Sequence, residues 1–186
     1  MNSELVRYLL AALPPEDLAQ QVWFYKRHVA ETCGSVRGMR VLPHITYIPP
    51  FTLPEQDVTM VEQGLAGLIQ SFQAESVRLE GFGYFSGKKS HVIYVAVEKT
   101  ELMQQQYTEL MAYAVENSLL PESQHRPSFT PHLTIAYRDL NEEKFQLAWP
   151  YFKDRPFSET MLLDHFWLLK HEGKNWEPMT RFDFRG

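Results

Sequence analysis

This sequence predicts an α+β fold of two lobes around a central cleft, and three observations carry that prediction. Its strand-like segments mostly alternate apolar and polar residues, which favours antiparallel sheets with helices on one side of each. The order strand, helix, loop, strand, helix, strand occurs twice. One short phrase also recurs, as Pro43-His44-Ile45-Thr46-Tyr47 and as Pro131-His132-Leu133-Thr134-Ile135. The expectation is one bilobed domain over 1–186, with approximate repeats 1–88 and 89–186, its two antiparallel sheets flanked by helices.

Glu4 to Ala12 reads as a strand. Pro14-Pro15-Glu16-Asp17 opens a helix, with prolines at its start and acids in the first turn. That helical pattern runs to about Thr32, and Gly34 and Gly38 mark a loop. Arg40 to Ile48 is the first motif strand, stopped by Pro49-Pro50 because proline gives a ladder no donor. Leu53 to Phe72 is a helix, with Val58, Val61, Leu65, Leu68 and Ile69 near helical spacing. Ser76 to Phe85 is a strand and Ser86-Gly87-Lys88-Lys89 a turn. The order then restarts with His91 to Val97, rich in β formers. Thr100 is placed to cap a helix that runs to Leu119. After a polar loop, Pro121 to Ser128, comes the second motif strand, Phe129 to Arg138. Asn141 caps a short helix to about Phe152, and Leu162 to Lys170 is a further strand. Gly173-Lys174-Asn175 turns the chain into a last strand, Trp176 to Phe184. Tyr8 precedes His44 by 36 positions and Tyr94 precedes His132 by 38, which aligns the two repeats.

The repeated phrase is more than chance. Shuffling this composition gives about 0.4 His-x-Thr matches per chain, and a preceding Pro cuts that to about 0.02. Residues i and i+2 of a strand share a face. His44 and Thr46 therefore point one way and Ile45 and Tyr47 the other; His132 and Thr134 likewise oppose Leu133 and Ile135. The other histidines, His28, His91, His125, His165 and His171, have no Ser or Thr two places on, and packing or solvation is the favoured reading for His91, His165 and His171.

Composition bounds the rest. The 44% hydrophobic fraction supports a packed core. A lone cysteine, Cys33, leaves no internal disulfide and fits a reducing compartment, with little around it to make a nucleophile. Met1-Asn2-Ser3-Glu4 has no basic leader, and Leu9 to Leu13 is too short for a signal core or a span. A cytoplasmic protein with no membrane partner is expected, and a monomer. The net charge of −5 argues against binding long nucleic acid, but not against a nucleotide or an RNA end in a local pocket.

Two imidazoles near pKa 6.5 facing one phosphodiester can divide the labour of base and acid. Two threonine hydroxyls can hold the non-bridging oxygens as charge develops there. No metal-ligand spacing and no cofactor motif is present. Arg138, by alternation on the face of His132 and Thr134, suits a phosphate. Tyr47 and Phe51 are candidates to hold substrate, and Phe51, Tyr84, Phe85 and Trp149 to stack on a base, although core packing is the commoner fate of any one ring. Lys170 and Lys174 flank a hairpin near the cleft mouth and read first as solubilising surface.

At these residues the chain resembles the 2H phosphoesterase superfamily, the 2′-5′ RNA ligase-like or cyclic phosphodiesterase family. That family carries two His-x-Thr/Ser motifs on opposed lobes, and here His44 and His132 stand 88 positions apart. Pro43-His44-Ile45-Thr46-Tyr47-Ile48-Pro49-Pro50-Phe51 and Pro131-His132-Leu133-Thr134-Ile135-Ala136 both match. The resemblance implies a bilobed α+β fold, a catalytic pair His44 and His132, and a phosphate-holding pair Thr46 and Thr134. It implies metal-independent attack on 2′,3′-cyclic or 2′-5′ linked phosphodiesters of nucleotides or RNA ends. A binding module without turnover, an RNA 2′-5′ ligase, and a metal-dependent hydrolase stay open as alternatives.

Overall fold

A computed structural model describes residues 5–124 and 127–186. The reading of Met1 to Glu4, and His125 in the polar loop, lie outside those residues.

Among the described residues, eight strands and four α-helices follow in the order β1 (Leu5–Ala12), α1 (Glu16–Cys33), β2 (Ile45–Pro54), α2 (Val58–Ile69), β3 (Glu75–Phe85), β4 (Val92–Val97), α3 (Glu101–Glu116), β5 (His132–Ala136), α4 (Glu142–Phe152), β6 (Ser158–Leu163), β7 (His165–Glu172) and β8 (Asn175–Asp183). They build two antiparallel four-stranded sheets, ordered β2-β1-β7-β8 and β5-β4-β3-β6. The fold is the expected α+β one of two lobes. The caps fall as expected, with Thr100 Oγ1 accepting from Met103 N at 3.0 Å and Asn141 Oδ1 accepting from Lys144 N at 3.0 Å.

The sheets do not coincide with the chain halves. β3, from the first half, joins the second sheet, while β7 and β8, from the second half, complete the first. The helices cross as well: α1 packs on β5 and α4, and α3 packs on β2. The main core lies between, with Tyr8, Leu10, Ile45, Tyr47 and Ile48 from one sheet and Ile93, Val95, Leu133 and Ile135 from the other.

Four element readings are corrected. β2 begins at Ile45 and runs through Pro49-Pro50 to Pro54. It tolerates them because it is an edge strand and because the register slips there, Tyr8 facing Phe51 and Leu10 facing Ile48. The helix expected from Leu53 accordingly starts at Val58, after a 3-10 turn at Glu55–Asp57. β5 is shorter than expected, ending at Ala136, and Arg138 has φ 65. The expected strand Leu162 to Lys170 is two strands in different sheets, broken at Asp164. The inward phase changes there, from Met161 and Leu163 to Phe166 and Leu168.

Candidate active site

The two motif phrases fold alike. Pro43 and Pro131 are buried, Ile45 and Leu133 are fully buried, and the His and Thr of each keep partial exposure. In each, the imidazole turns back on its own chain. Nδ1 of His44 donates to the Leu42 carbonyl at 2.8 Å, and Nδ1 of His132 to the Thr130 carbonyl at 2.7 Å. A carbonyl only accepts, so both neutral rings carry their proton on Nδ1 and leave Nε2 as the basic nitrogen.

His44, Thr46 and Thr134 line one cavity of about 460 Å³; Thr46 and His132 line an adjoining one of about 450 Å³. Thr46 borders both, and each cavity is lined by residues of both motif copies. Burial pulls the His44 pKa down to about 4, with the Lys26 ammonium and His132 pushing the same way and the bond to Leu42 resisting. Burial also lowers His132, against the bond to Thr130. The rings beside His132 are Phe85 and Tyr94, each with its centroid 5.1 Å away.

Lys26 is the residue that sequence reasoning missed. It is 2% exposed, and Nζ donates to the Gly38 carbonyl at 3.0 Å and the Val41 carbonyl at 2.6 Å. Burial lowers its pKa to about 7. Its signal was present in the sequence, as a lysine inside the buried stripe of α1, Leu18, Val22, Lys26 and Val29. Asp139 was also missed. It accepts from Ser35 Oγ at 2.7 Å, Val36 N at 2.9 Å and Arg37 N at 3.1 Å, tying the 3-10 turn Arg37–Arg40 to the loop after β5. Burial works against its charge, but those bonds hold its carboxyl below the ordinary value. Gly38 completes the junction, since a Cβ there would collide with the Ile135 carbonyl of β5.

The remaining candidates divide. Arg138 lines the cleft, but from a left-handed residue beyond the strand end rather than by strand alternation. Phe85 borders the His132 side. Tyr47 borders the His132 side, with its side chain buried between Phe129 and Phe166, whereas Phe51 packs in the core on Tyr8. Tyr84 and Trp149 pack on each other. His91 packs as expected, stacked on Phe145 with Nε2 on Glu142 at 2.8 Å. His165 pairs with Asp164, whereas His171 turns out to line the cleft. Lys170 is tied to Glu55 at 2.6 Å, whereas Lys174 reaches the cavity. The Cys33 thiol donates to the Val29 carbonyl inside α1. Among the described residues, no group of three His, Cys, Asp or Glu is placed to hold a metal, and no helix is long and apolar enough to cross a membrane.

Residues 14–175 match the family model of the 2′-5′ RNA ligase superfamily. The chain belongs to the 2′-5′ RNA ligase superfamily. Relatives of this superfamily member bear provisional phosphoesterase names. One from Bacillus licheniformis is 27% identical over 127 residues, 68% of this chain and 70% of that protein. One from Staphylococcus epidermidis is 24% identical over 175 residues, 93% of this chain and 96% of that protein. The fold is shared with Escherichia coli LigT crystallised with 3′-AMP, at a TM-score of 0.72 and 18% identity over 98% of this chain and 100% of LigT. It is also shared with a protein of Thermus thermophilus, at a TM-score of 0.69 and 20% identity over 97% of this chain and 98% of that one. LigT has also been crystallised with NADP+ and with ATP. Superfamily membership makes this protein phosphoesterase-like or 2′-5′ RNA ligase-like in kind.

Proposed function

We propose that the protein is a metal-independent phosphodiesterase that opens 2′,3′-cyclic or 2′-5′ linked phosphodiesters of nucleotides or RNA ends. One observation carries the proposal: two imidazoles on neighbouring cavities that share Thr46, each with Nδ1 tied to the carbonyl two residues back and Nε2 left free for chemistry.

His44 acts as the base. Its depressed pKa keeps it neutral at pH 7, and the nearby Lys26 disfavours its protonated form. His132, with the rings of Phe85 and Tyr94 beside it, acts as the acid, because a bound phosphate's negative charge draws a proton onto it. Nε2 of His44 takes a proton from water, whose oxygen attacks phosphorus. The bond to the leaving 2′ or 3′ oxygen breaks, and Nε2 of His132 protonates that oxygen. Thr46 and Thr134 donate to the non-bridging oxygens, where charge builds up. Arg138 supplies a guanidinium to the same phosphate. The product is a phosphomonoester, and solvent resets both rings. With the 5′-hydroxyl of another chain in place of water as the nucleophile, the same pair opens a 2′,3′-cyclic phosphate at its 3′ oxygen, which leaves with the proton from His132, and forms a 2′-5′ linkage, which is the ligase reading.

The substrate class, a nucleotide or an RNA end, is supported by the nucleotides found in LigT. A reducing, cytoplasmic location fits the single, half-buried thiol of Cys33.

The test is turnover of 2′,3′-cyclic nucleotides and cyclic-phosphate-ended RNA with a chelator present, followed across pH. The expected kcat/KM profile is bell-shaped with its optimum below neutral. The acidic limb near about 4 belongs to His44, and the alkaline limb, below the ordinary histidine value, to His132. No turnover of any ester, or a profile flat across both limbs, rejects the proposal.

A further inference from the structure

The protein carries a net charge of −5, yet the cavity beside His44 is walled by Arg7, Lys26, Arg37, Arg40, Arg138 and Lys174, with no Asp or Glu among its lining residues. Lys26 is committed to backbone carbonyls. Among the described residues, none of the other five pairs with a carboxylate side chain, although Lys170, Arg78 and Arg181 elsewhere do. One phosphodiester brings a single negative charge, which the two threonines and Arg138 already serve. The surplus gathers at one place. The Arg7 guanidinium lies over the Trp176 ring, 5.6 Å from its centroid, and His171 meets the same ring edge-on at 5.0 Å. Lys174 sits in the two-residue turn between β7 and β8, two positions before that Trp.

This cluster is remote from the motif threonines. Thr46 lies on β2, abreast of Ala11, and Trp176 on β8, three strands away across the sheet. At about 4.8 Å per strand, the separation is on the order of 10 Å or more. One phosphate held at Thr46 cannot also touch the guanidinium parked over Trp176. Among the described residues, the other arm, beyond Thr46, is walled by Phe85, Tyr107, Met111 and Phe129 beside His132, with no Lys or Arg in its lining. The cleft is therefore polarised, cationic at the hairpin end and aromatic at the His132 end.

We propose that Arg7, Lys174 and Trp176 form a second anion subsite, and that the substrate carries at least one further phosphate beyond the ester that reacts. The inference rests on the phosphodiesterase reading for the identity of the first phosphate. The second phosphate is the 5′-phosphate or diphosphate of a small nucleotide, or the neighbouring phosphate of an RNA end. In both cases a guanidinium and an ammonium hold it by charge-assisted hydrogen bonds.

Binding separates this from the turnover question. Titrate the full chain at fixed ionic strength with adenosine 3′-monophosphate, adenosine 3′,5′-bisphosphate and a dinucleotide ending in a 3′-phosphate. The bisphosphate or the dinucleotide should bind about tenfold or more tighter than the monophosphate, and whichever gains more identifies the source. Because Arg7 and Lys174 are exposed, Arg7→Gln/Lys174→Gln folds, and it should erase that advantage. Equal binding of all three by the wild type, or an advantage untouched in the double variant, overturns the subsite. Turnover of 2′,3′-cyclic AMP and its 5′-phosphorylated form is followed in parallel. A second-phosphate advantage without turnover of either keeps the subsite and rejects the phosphodiesterase reading. Turnover without that advantage does the reverse.

Discussion

At the scale of single residues, the site is a matter of which proton sits where. Each imidazole is fixed by one bond to its own chain, so neither needs a carboxylate partner to choose its tautomer. What distinguishes the two rings is their surroundings: burial lowers both, and His44 alone also has the Lys26 ammonium acting on it. Replacing Lys26 by Met removes a positive charge beside His44 and frees the Gly38 and Val41 carbonyls. The His44 pKa should rise by the part that Lys26 contributes, while burial still holds it below its ordinary value. Because the base must be neutral, the acidic limb of kcat/KM should move to higher pH; a limb that stays in place would separate Lys26 from His44. The same depressed value makes the fold acid-sensitive. Unfolded His44 protonates near 6.5 and the folded form only near about 4, so the stability it contributes is lost as pH falls through that window. The sequence displayed His44, Thr46, His132 and Thr134 because a repeated phrase stands out. It hid Lys26, because a lysine on a helix reads as solvated until its neighbours in the stripe are seen to be buried.

At the scale of elements, the two motif copies are held together by the connection that follows α1. Asp139 takes three hydrogen bonds from Ser35, Val36 and Arg37, and the Gly38 backbone lies against β5. Asp139→Asn keeps the shape but gives up the charge and puts a donor against donors. It should lower unfolding free energy by about 1–3 kcal/mol in urea titration. Loss of less than about 0.5 kcal/mol would mean the tie is solvent-screened and idle. Helices and caps were legible in the sequence because periodicity and Thr100 and Asn141 mark them. Two breaks were not. The Pro49-Pro50 pair looks like a stop but is absorbed by an edge strand with a register slip. The Leu162 to Lys170 run looks continuous but changes sheet at Asp164, and only the change of inward parity betrays it. The Tyr8–Tyr94 alignment also fails. The residues abreast of Thr46 and Thr134 are Ala11 and Tyr94. A small residue on one side and a ring on the other give the cleft its two characters.

At the scale of the whole molecule, repetition in sequence does not mean two independent lobes. Each sheet draws strands from both halves of the chain, and α1 and α3 each pack on the opposite sheet. Chains 1–88 and 89–186 made separately should stay unfolded, and the intact protein should unfold in one transition seen alike by circular dichroism and tryptophan fluorescence. Two separated transitions would mean that the lobes are autonomous. The lobed class was legible from strand alternation and element order; the exchange of strands and helices was not, because local patterns carry no information about which sheet a strand joins. The crossing is what brings His44 and His132, 88 positions apart, to neighbouring cavities that share Thr46. The central claim is that they act as one unit on one phosphate. Its most direct test is kcat/KM on a 2′,3′-cyclic nucleotide, with chelator, for wild type, His44→Ala, His132→Ala and the double variant. Each single change should cost about 10²–10⁴-fold, and the double should cost little more than the worse single, because half a proton relay is no relay. Single variants that keep near wild-type rates, or losses that multiply in the double, would contradict it.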